Sequence, residues 1–290
     1  MDGLVVVTGV GGPAGRAAAE WFARRGLDVV GADMREVSSP ATRFRRIAPV
    51  ADPGFPSALL ALLADHPGAL LVPTVSEELP IVARLRPEIR ARGCALAMGS
   101  APGVEIAGDK LRTAQALASR RVSAPRTFAA GTPAAELVAA LGLPLLAKPR
   151  VGRGGRGVRV LRSVEDVAGA SGAELVFQEF VPGDEFDVNL FVERAGEVAA
   201  AVVLRKTALR DGETGNAAGV ERIEHPGVRD EAIRAARALE LAGPLDVDVR
   251  LRRDGAPAIL EVNARLGANA LSAAEVLDSL HNAWRAGRCN

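Results

Sequence analysis

Residues 245–265 read LDVDVRLRRDGAPAILEVNAR, and this stretch decides the fold of the second half of the chain. Asp254-Gly255 is a strong signal for a two-residue hairpin turn, because such turns need positive φ at both central positions. Counting outward from that turn places Asp248 directly opposite Glu261, on a rung where side chains approach closely. The stretch therefore predicts two antiparallel strands that carry a pair of facing carboxylates.

The alternation of side chains along these strands extends the acidic face. Asp246 and Asn263 fall on the same side as the two facing carboxylates. The residues between them are expected to point towards the core: Val247, Val249, Leu260 and Val262.

Like charges that face one another are destabilising unless something neutralises them. A set of carboxylate and amide oxygens suits Mg²⁺, which takes a few carboxylates together with phosphate oxygens. The alternative is a solvated acidic face, relieved by Arg250 or Arg265.

Length and composition describe an ordinary globular protein of about two domains, with 290 residues of which 48% are hydrophobic. The net charge of +1 gives no support to a nucleic-acid or membrane-surface partner. Two cysteines make no disulfide framework, and no stretch reads as a signal peptide or a membrane span. We expect a cytoplasmic protein.

The pattern of strands and helices changes near residue 108. Before it, continuous apolar strands alternate with helices, which predicts a parallel, doubly wound α/β sheet of Rossmann-like form. After it, the pattern is α+β.

A glycine-rich loop follows an apolar strand at residues 152–157, which read GRGGRG. Closely spaced glycines let backbone N–H groups approach an anion, and Arg153 and Arg156 add positive charge. Lysine is rare in this chain, with Lys110, Lys148 and Lys206 the only three among 36 basic residues. Such lysines are candidates for sites that need a compact ammonium group, and chance survival at the surface is the alternative. A simple flexible turn is the alternative for the loop.

Residues 177–188, FQEFVPGDEFDV, read as a strand that breaks at Pro182-Gly183 and then restarts. A break of this kind leaves backbone groups available to the edge of a ligand, and Glu185 can accept hydrogen bonds from hydroxyl groups. The alternative is a hairpin with a solvent-facing Glu185.

Together, these motifs resemble the ATP-grasp superfamily, most of all its carbamoyl-phosphate-synthetase-like branch of carboxylate–amine ligases. The resemblance covers nearly the whole chain, through GDK at 108–110, AKP at 147–149, GRGGRGV at 152–158, QEFVPGDEFDV at 178–188 and EVNAR at 261–265. The last motif departs from the commoner EVNPR. The resemblance implies a pre-ATP-grasp domain over 1–108 and a two-subdomain ATP-grasp fold over 109–290, with a swivelling lid at about 122–183.

The resemblance also implies roles for individual residues. The ATP phosphates would contact Lys110, Lys148 and the loop residues Gly152, Arg153, Gly154, Gly155 and Gly157. The adenine would lie against Gln178, Glu179, Phe180 and Val181, with Gln178 at its amino edge, and the ribose hydroxyls against Glu185. The metal ligands would be Asp248, Glu261 and Asn263, holding two Mg²⁺ ions that Mn²⁺ can replace. Arg265 would stabilise the transferred phosphoryl group.

The implied reaction joins a carboxylate to an amine through an acylphosphate, releasing ADP and phosphate. Amino acids are the expected substrates, and a homodimer is left open. The sequence ends soon after EVNAR, without the third domain of biotin carboxylase and its relatives, which we expect to disfavour biotin or purine-precursor chemistry.

A second hypothesis concerns the segment after the central strands. Arg205 and Lys206 end a predicted strand before a loop that contains DGETGNAAG. We expect Arg205 or Lys206 to hold a substrate carboxylate or the transferring phosphate, with Glu213 and Thr214 nearby. The alternative is a solvated hairpin.

Two other classes of protein compete with the ligase. VVVTGVGGPAG at residues 5–15 is close to a dinucleotide fingerprint, and Asp33 stands where a ribose-binding acid would lie in an NAD(P)-dependent oxidoreductase. The chain has no tyrosine, however, and so cannot carry a Tyr-x-x-x-Lys catalytic set. The third class is a non-catalytic ATP-binding protein.

Overall fold

The computed structural model describes residues 3–152, 154–211 and 214–289. Five parallel strands form the N-terminal sheet, in the order β3-β2-β1-β4-β5. They are β1 (Leu4–Thr8), β2 (Asp28–Asp33), β3 (Arg43–Arg46), β4 (Leu70–Val72) and β5 (Ala95–Leu96). Their helices are α1 (Pro13–Arg24), α2 (Phe55–Ala64), α3 (Leu79–Arg84), α4 (Arg86–Ala91) and α5 (Ala101–Ala107). Alternate residues of β1 enter different hydrophobic clusters, because helices cover both faces of the sheet.

The parallel sheet is present as predicted, but two local predictions in this region differ from the structure. The sequence EELPIVARLRPEIRARG at residues 77–93 predicts a single helix, but the structure has two, α3 and α4, which meet at Leu85. Pro87 explains the break, because its ring clashes with the preceding helical turn and it has no N–H to donate. Strand β3 was not predicted, since its sequence RFRR has no apolar alternation and forms a charged edge.

A four-stranded antiparallel sheet follows, in the order β6-β9-β7-β8. Its elements are β6 (Thr127–Ala129), α7 (Ala134–Leu141), β7 (Leu145–Pro149), β8 (Arg159–Leu161), α8 (Val164–Gly169) and β9 (Leu175–Glu179), preceded by α6 (Lys110–Ser119). The two helices α7 and α8 pack on this sheet around a small hydrophobic cluster of its own. The four strands and the helices α7 and α8 fall within the predicted lid at about 122–183. The boundaries of this lid stay a prediction.

The third sheet is antiparallel and five-stranded, in the order β12-β11-β10-β13-β14. Its elements are β10 (Glu185–Val192), β11 (Val198–Asp211), β12 (Thr214–Ile223), α9 (Pro226–Ala238), β13 (Gly243–Leu251), β14 (Pro257–Asn263) and α10 (Ala274–Arg285). Helix α9 covers one face of the sheet, and α10 covers part of the other. The uncovered part of that second face looks into a cleft beside the N-terminal sheet.

The loop predicted after Lys206 is wrong. Strand β11 runs on to Asp211, and Thr214–Ile223 form β12, which pairs with it through several register shifts. Arg205 and Lys206 therefore lie within a strand instead of at its end. Gly and Ala have little strand propensity, so the strand depends on its pairing with β11, which local sequence does not reveal.

The hairpin between β13 and β14 reaches the predicted pairing by a different route. Arg252 N–H donates to Ala256 O (2.8 Å), so the turn holds three residues instead of two. A bulge at Leu260 then restores the register, and Asp248 lies opposite Glu261 as predicted. The bulge turns Leu260 into the cleft, which corrects its predicted place in the core. Among the described residues, no helix has the length and apolarity to cross a membrane.

Candidate active site

The uncovered face of the third sheet carries a dense set of ionisable and amide side chains, which we call the polar face. Its members are Glu185, Asp187 and Asn189 on β10, Lys206 on β11, Asp246, Asp248 and Arg250 on β13, and Glu261 and Asn263 on β14. Strand register sets them in rows, because a residue and its cross-strand partners point the same way. One row runs Asp187, Asp248, Glu261 and the next Asn189, Asp246, Asn263.

Lys206 neutralises Asp248, in the middle of the first row, and the neighbouring Glu185. Its Nζ lies 2.6 Å from Glu185 Oε1 and 2.6 Å from Asp248 Oδ1, and its side chain is only 7% exposed. Although burial alone lowers the pKa of Lys206, Asp248 and Glu185 together raise it above its ordinary value, so Lys206 stays charged. Lys206 therefore does not lie in a solvated hairpin, and Glu185 is not a solvent-facing glutamate.

Lys110 neutralises Glu261, at one end of that row. Its Nζ lies 3.2 Å from Glu261 Oε1 and donates to Gly152 O at 3.0 Å. Lys110 stands at the start of α6, where the Asp109 side chain caps the helix and also binds Arg150. The contact ties the glycine loop to the acidic pair on the sheet.

The second row is paired with Arg265. Nη1 of Arg265 lies 3.1 Å from Asp246 Oδ2, while its Nε donates to Ser76 Oγ (3.1 Å) in the N-terminal region. Burial and the neighbouring Asp187 carboxylate raise the pKa of Asp246 well above its ordinary range. The acidic face is thus relieved partly by Arg265, as the alternative supposed, but it lies within a cleft, where the side chains of Asp248 and Glu261 are 22% and 24% exposed.

Lys148 ends β7 and points into the same cleft. Its Nζ donates to Gln178 Oε1 (2.6 Å), and burial lowers the pKa of the lysine to about 8. Gln178 is 2% exposed, lies behind Lys148 and donates to Thr127 Oγ1 (3.0 Å). The structure therefore places Gln178 as a support for Lys148, and its position at an adenine edge stays a prediction.

The strand break at Pro182-Gly183 brings Val181 to the cleft wall. Arg250 holds this segment, because it donates to Val181 O (3.1 Å) and to Glu185 Oε2 (2.6 Å). Its guanidinium lies 5.7 Å from the ring centroid of Phe180. The Glu179 side chain turns away towards Arg252 (2.5 Å), and its backbone N–H donates to Arg126 O (2.9 Å), which leaves the Glu179 carbonyl for a ligand.

The glycine loop lies over the mouth of the cleft, through Gly152, Gly154, Gly155 and Arg156. Gly154, Gly155 and Gly157 adopt positive φ. A Cβ on Gly155 would come within 2.6 Å of Gly215 Cα on β12, so the loop and this strand pack backbone to backbone. Arg153 lies outside the described residues.

Arg205 does not line the cleft. It is half-exposed and pairs with Glu221 and, at 3.8 Å, with Asp184. Of the residues expected beside it, Glu213 lies outside the described residues, as does the side chain of Thr214. Lys206 alone of this predicted pair reaches the site.

The cleft has a volume of about 530 Å³. Its opposite wall is formed by residues at the carboxyl edge of the parallel sheet. Glu78 is its most buried acid, with 1% exposure, and its Oε1 accepts from the N–H groups of Thr74 and Val75 (3.0 Å each) and from the Thr8 hydroxyl. Burial raises the pKa of Glu78 to about 7. Sequence reasoning missed Glu78, which lies in a segment read as an ordinary helix, and Asp187, which alternation with Glu185 would have revealed.

The model of the ATP-grasp domain family matches residues 107–269, more than half of the chain. This chain belongs to the ATP-grasp family. A D-alanine–D-alanine ligase of Porphyromonas gingivalis is 31% identical to it over an alignment of 151 residues, and the match covers 46% of this chain and 45% of that protein. The chain spans about half the length of the curated relatives it matches.

Solved structures show the same ATP-grasp fold. An L-amino acid ligase from Bacillus licheniformis matches with a TM-score of 0.64 and 19% identity, over 93% of this chain and 69% of that one. A carboxyaminoimidazole ribonucleotide synthase from Aspergillus clavatus, complexed with ATP, matches with a TM-score of 0.70 and 17% identity, over 92% of this chain and 71% of that one. None of these comparisons supports the oxidoreductase alternative.

The donor chemistry of the polar face fits the magnesium that this family implies. Among the described residues, no three acidic, histidine or cysteine side chains form a metal-binding group. A cation here would therefore take the Asp248 and Glu261 carboxylates, the Asn263 amide oxygen, and oxygens from phosphate or water. Mg²⁺ prefers this mixture of oxygen ligands. Lys206 and Lys110 carry positive charge beside the same two carboxylates.

Proposed function

We propose that this protein is an ATP-dependent carboxylate–amine ligase that forms an amide or peptide bond and releases ADP and phosphate. One observation carries the proposal: the facing carboxylates Asp248 and Glu261 share a cleft with Lys110, Lys148 and a glycine loop. An acidic pair beside phosphate-binding cations is the arrangement that Mg-ATP requires. The activities of the similar D-alanine–D-alanine ligase and L-amino acid ligase support the same class of reaction.

The residues around the cleft have distinct proposed roles toward ATP. Lys148 and Lys110 bind phosphate oxygens as compact charges, and the glycine loop covers them with backbone N–H groups. Val181 and the backbone of Glu179 border the adenine, and Glu185 binds the ribose hydroxyls. Mg²⁺, held by Asp248, Glu261 and Asn263, would neutralise phosphate charge and align the triphosphate when it is bound.

Two transfers follow from this arrangement. A substrate carboxylate oxygen attacks the γ-phosphorus, and the bond from that phosphorus to ADP breaks. An amine nitrogen then attacks the acyl carbon, loses a proton, and displaces phosphate. Arg265, held by Asp246 and Ser76, stabilises the negative charge of the phosphoryl group, and Lys206 lies beside Asp248 for the same purpose. The enclosed cleft excludes water from the reactive acylphosphate.

The division into a pre-ATP-grasp domain over 1–108, an ATP-grasp domain over 109–290 and a lid at about 122–183 is part of this proposal. So are two magnesium ions, amino-acid substrates and a cytoplasmic location. The N-terminal glycine turn then has a structural role, because Asp33 Oδ2 accepts from Gly11 N–H at 3.0 Å.

The test measures nucleotide binding and turnover together. Thermal shift with Mg-ATP, ATP alone and NAD(H) is followed by ADP release against pools of amino acids, with mass detection of the product. We expect protection by Mg-ATP but not by NAD(H), and ADP release that depends on a carboxylate. Lys148→Ala should lose the protection, whereas Arg162→Ala, outside the cleft, should keep it.

Protection by NAD(H) but not by Mg-ATP would overturn the ligase proposal. Binding of Mg-ATP with no ADP release from any carboxylate and amine pool would instead indicate a non-catalytic ATP-binding protein.

A further inference from the structure

Two buried aspartates of the polar face are close neighbours, and we call them the inner acid pair. They are Asp187 on β10 and Asp246 on β13, which are 3% and 7% exposed, and both line the cleft. Their negative charges oppose one another at short range. Buried charges in proteins are paired with opposite charges or bind a cation, so the partners of this pair decide what the pair can do.

The described part of the chain supplies one cation to the inner acid pair. Arg265 Nη1 lies 3.1 Å from Asp246 Oδ2. Asp187 receives two amide groups instead of a cation: Asn189 Nδ2 donates to its Oδ1 at 2.7 Å, and Asn269 Nδ2 donates to its Oδ2 at 2.8 Å. Two carboxylates and one guanidinium leave a single negative charge without a counter-charge among the described residues.

The amide oxygen of Asn189 lies beside the same pair. Asn189 is fully buried, and its Oδ1 has no hydrogen-bond donor among the residues that the structure describes. Turning the amide over does not relieve this, because Oδ1 would then face the Asp187 carboxylate to which Nδ2 now donates. A buried acceptor of this kind costs free energy unless a water molecule or an ion binds it.

Gly267 shows that oxygens of Asn189 and Asp246 face the same point. A Cβ added to this glycine would lie 2.9 Å from Asn189 Oδ1 and 3.0 Å from Asp246 Oδ1. The φ of Gly267 is not positive, so its backbone conformation alone does not require glycine. The close approach of the two oxygens does, because any larger side chain would press against both and cover them.

We propose that the inner acid pair and Asn189 Oδ1 bind one alkali metal cation, K⁺ or Na⁺. Hard cations take oxygen ligands, and carboxylate and amide oxygens are what this place offers. The single uncompensated charge matches a monovalent ion, whereas a divalent ion would leave an excess of positive charge beside Arg265. The ion enters from the cleft, since Asp187 and Asp246 line it and the buried Asn189 lies beneath them. This site is separate from the proposed magnesium ligands and goes beyond the proposed function.

Thermal unfolding in the presence of EDTA tests the site without nucleotide or substrate. KCl or NaCl replaces tetramethylammonium chloride stepwise at constant total salt, so that ionic strength does not change. We expect K⁺ or Na⁺ to raise the unfolding midpoint along a saturating curve, because an ion that binds only the native state stabilises it. Tetramethylammonium is too large for the site and serves as the reference. Crystals soaked in RbCl should show an anomalous peak in contact with Asp187, Asn189 and Asp246.

Two variants with matched controls test the ligands. Asp187→Asn removes the uncompensated charge and keeps a side-chain oxygen, and should raise the cation concentration for half-maximal stabilisation at least about 10-fold. Asp65→Asn, the same change at an exposed position, should leave that concentration unchanged. Gly267→Ala covers the two converging oxygens and should also raise it at least about 10-fold. Gly169→Ala, whose methyl group would meet nothing within 4 Å, should not.

Glu261→Gln separates this site from the proposed magnesium ligands. The response to K⁺ or Na⁺ should remain in this variant, and its loss would mean that the ion binds at the magnesium ligands, which would overturn the proposal. Equal midpoints in all three chlorides, as a shared proton or a bound water molecule would give, would also overturn it. So would a Rb⁺ peak elsewhere only, or an unchanged response in folded Asp187→Asn. Each of these results leaves the ligase proposal standing, since no nucleotide or substrate is present.

Discussion

Replacing Lys206 by methionine removes the cation that bridges Glu185 and Asp248, while keeping the length and the apolar stem of the side chain. Glu185 keeps Arg250 as a partner, but Asp248 is left between Asp187 and Glu261 on the polar face. Lys206 is 7% exposed and both contacts are 2.6 Å, so its loss leaves Asp248, whose side chain is 22% exposed, without its cation. Breaking a fully buried pair costs about 3–5 kcal/mol, and the partial exposure of Asp248 places the expected cost at the lower end, about 3 kcal/mol.

Arg205→Met is the matched control, since Arg205 is the neighbouring cation on β11 and pairs with acids near the surface. Exposed ion pairs contribute about 0–1 kcal/mol, so the two variants should differ by roughly 2 kcal/mol or more in the free energy of unfolding. Urea unfolding in the presence of EDTA measures the difference. Equal losses in the two variants would refute the charge-balance reasoning.

Magnesium provides a second arm of the same test. If Asp248 binds Mg²⁺ as proposed, Lys206 competes with the ion for this carboxylate, so adding Mg²⁺ should stabilise Lys206→Met more than it stabilises the native protein. ADP release by Lys206→Met should nevertheless fall by about 100-fold or more, because a charge-stabilising donor is gone. If Mg²⁺ raises the free energy of unfolding of the native protein and of Lys206→Met equally, Lys206 and Mg²⁺ do not compete for Asp248.

Three further predictions follow from particular contacts. Burial lowers the pKa of Lys148 to about 8, so Mg-ATP affinity should fall as pH rises above 8, and calorimetry in two buffers should detect proton uptake on binding at pH 9. The pKa of Glu78 rises from 4.5 to about 7 on folding, so the native state holds a proton that the unfolded state has lost between those values. Native stability should fall across that window by up to about 3 kcal/mol, and chemical denaturation at pH 5 and pH 8 should show a flatter profile for Glu78→Gln. Gly155→Ala should raise the KM for ATP at least about 10-fold, because its methyl group would meet Gly215 and the φ of +71° disfavours a side chain. Gly131→Ala is the control: its methyl group would meet nothing within 4 Å, and the KM for ATP should stay unchanged.

Sequence alone predicted the facing carboxylates for a reason that proved partly wrong. The Asp254-Gly255 signal led to a two-residue turn, whereas the turn holds three residues and the bulge at Leu260 cancels the error. A bulge inserts one residue without changing local composition, so alternation alone cannot reveal it. The pairing of Asp248 with Glu261 survived because EVN and DVD each keep strict alternation on their side of the bulge.

Contacts between distant elements were beyond local reasoning. Gln178 follows β7 by about thirty residues, and only the pairing of β9 with β7 brings it to Lys148. Glu78 becomes a cleft residue only because β1 and β4 are neighbours in the sheet. In both cases side-chain chemistry was visible in the sequence, but the partner was set by sheet order, which depends on the whole fold.

The distribution of lysine supports the same site from an independent direction. The chain uses arginine for 33 of its 36 basic residues, and Lys110, Lys148 and Lys206, its only lysines, all line the cleft. Their contacts explain why arginine does not replace them. Lys206 places one nitrogen between two carboxylates at 2.6 Å each, and the buried Lys148 places one nitrogen against Gln178. A planar guanidinium is wider than an ammonium group and does not fit such a position. The arginines in the cleft instead bind in forks, as Arg250 does with Glu185 and the Val181 carbonyl. The chain uses arginine for all its other basic residues, and lysine only beside the polar face or the glycine loop above it. The choice of lysine over arginine therefore marks the site.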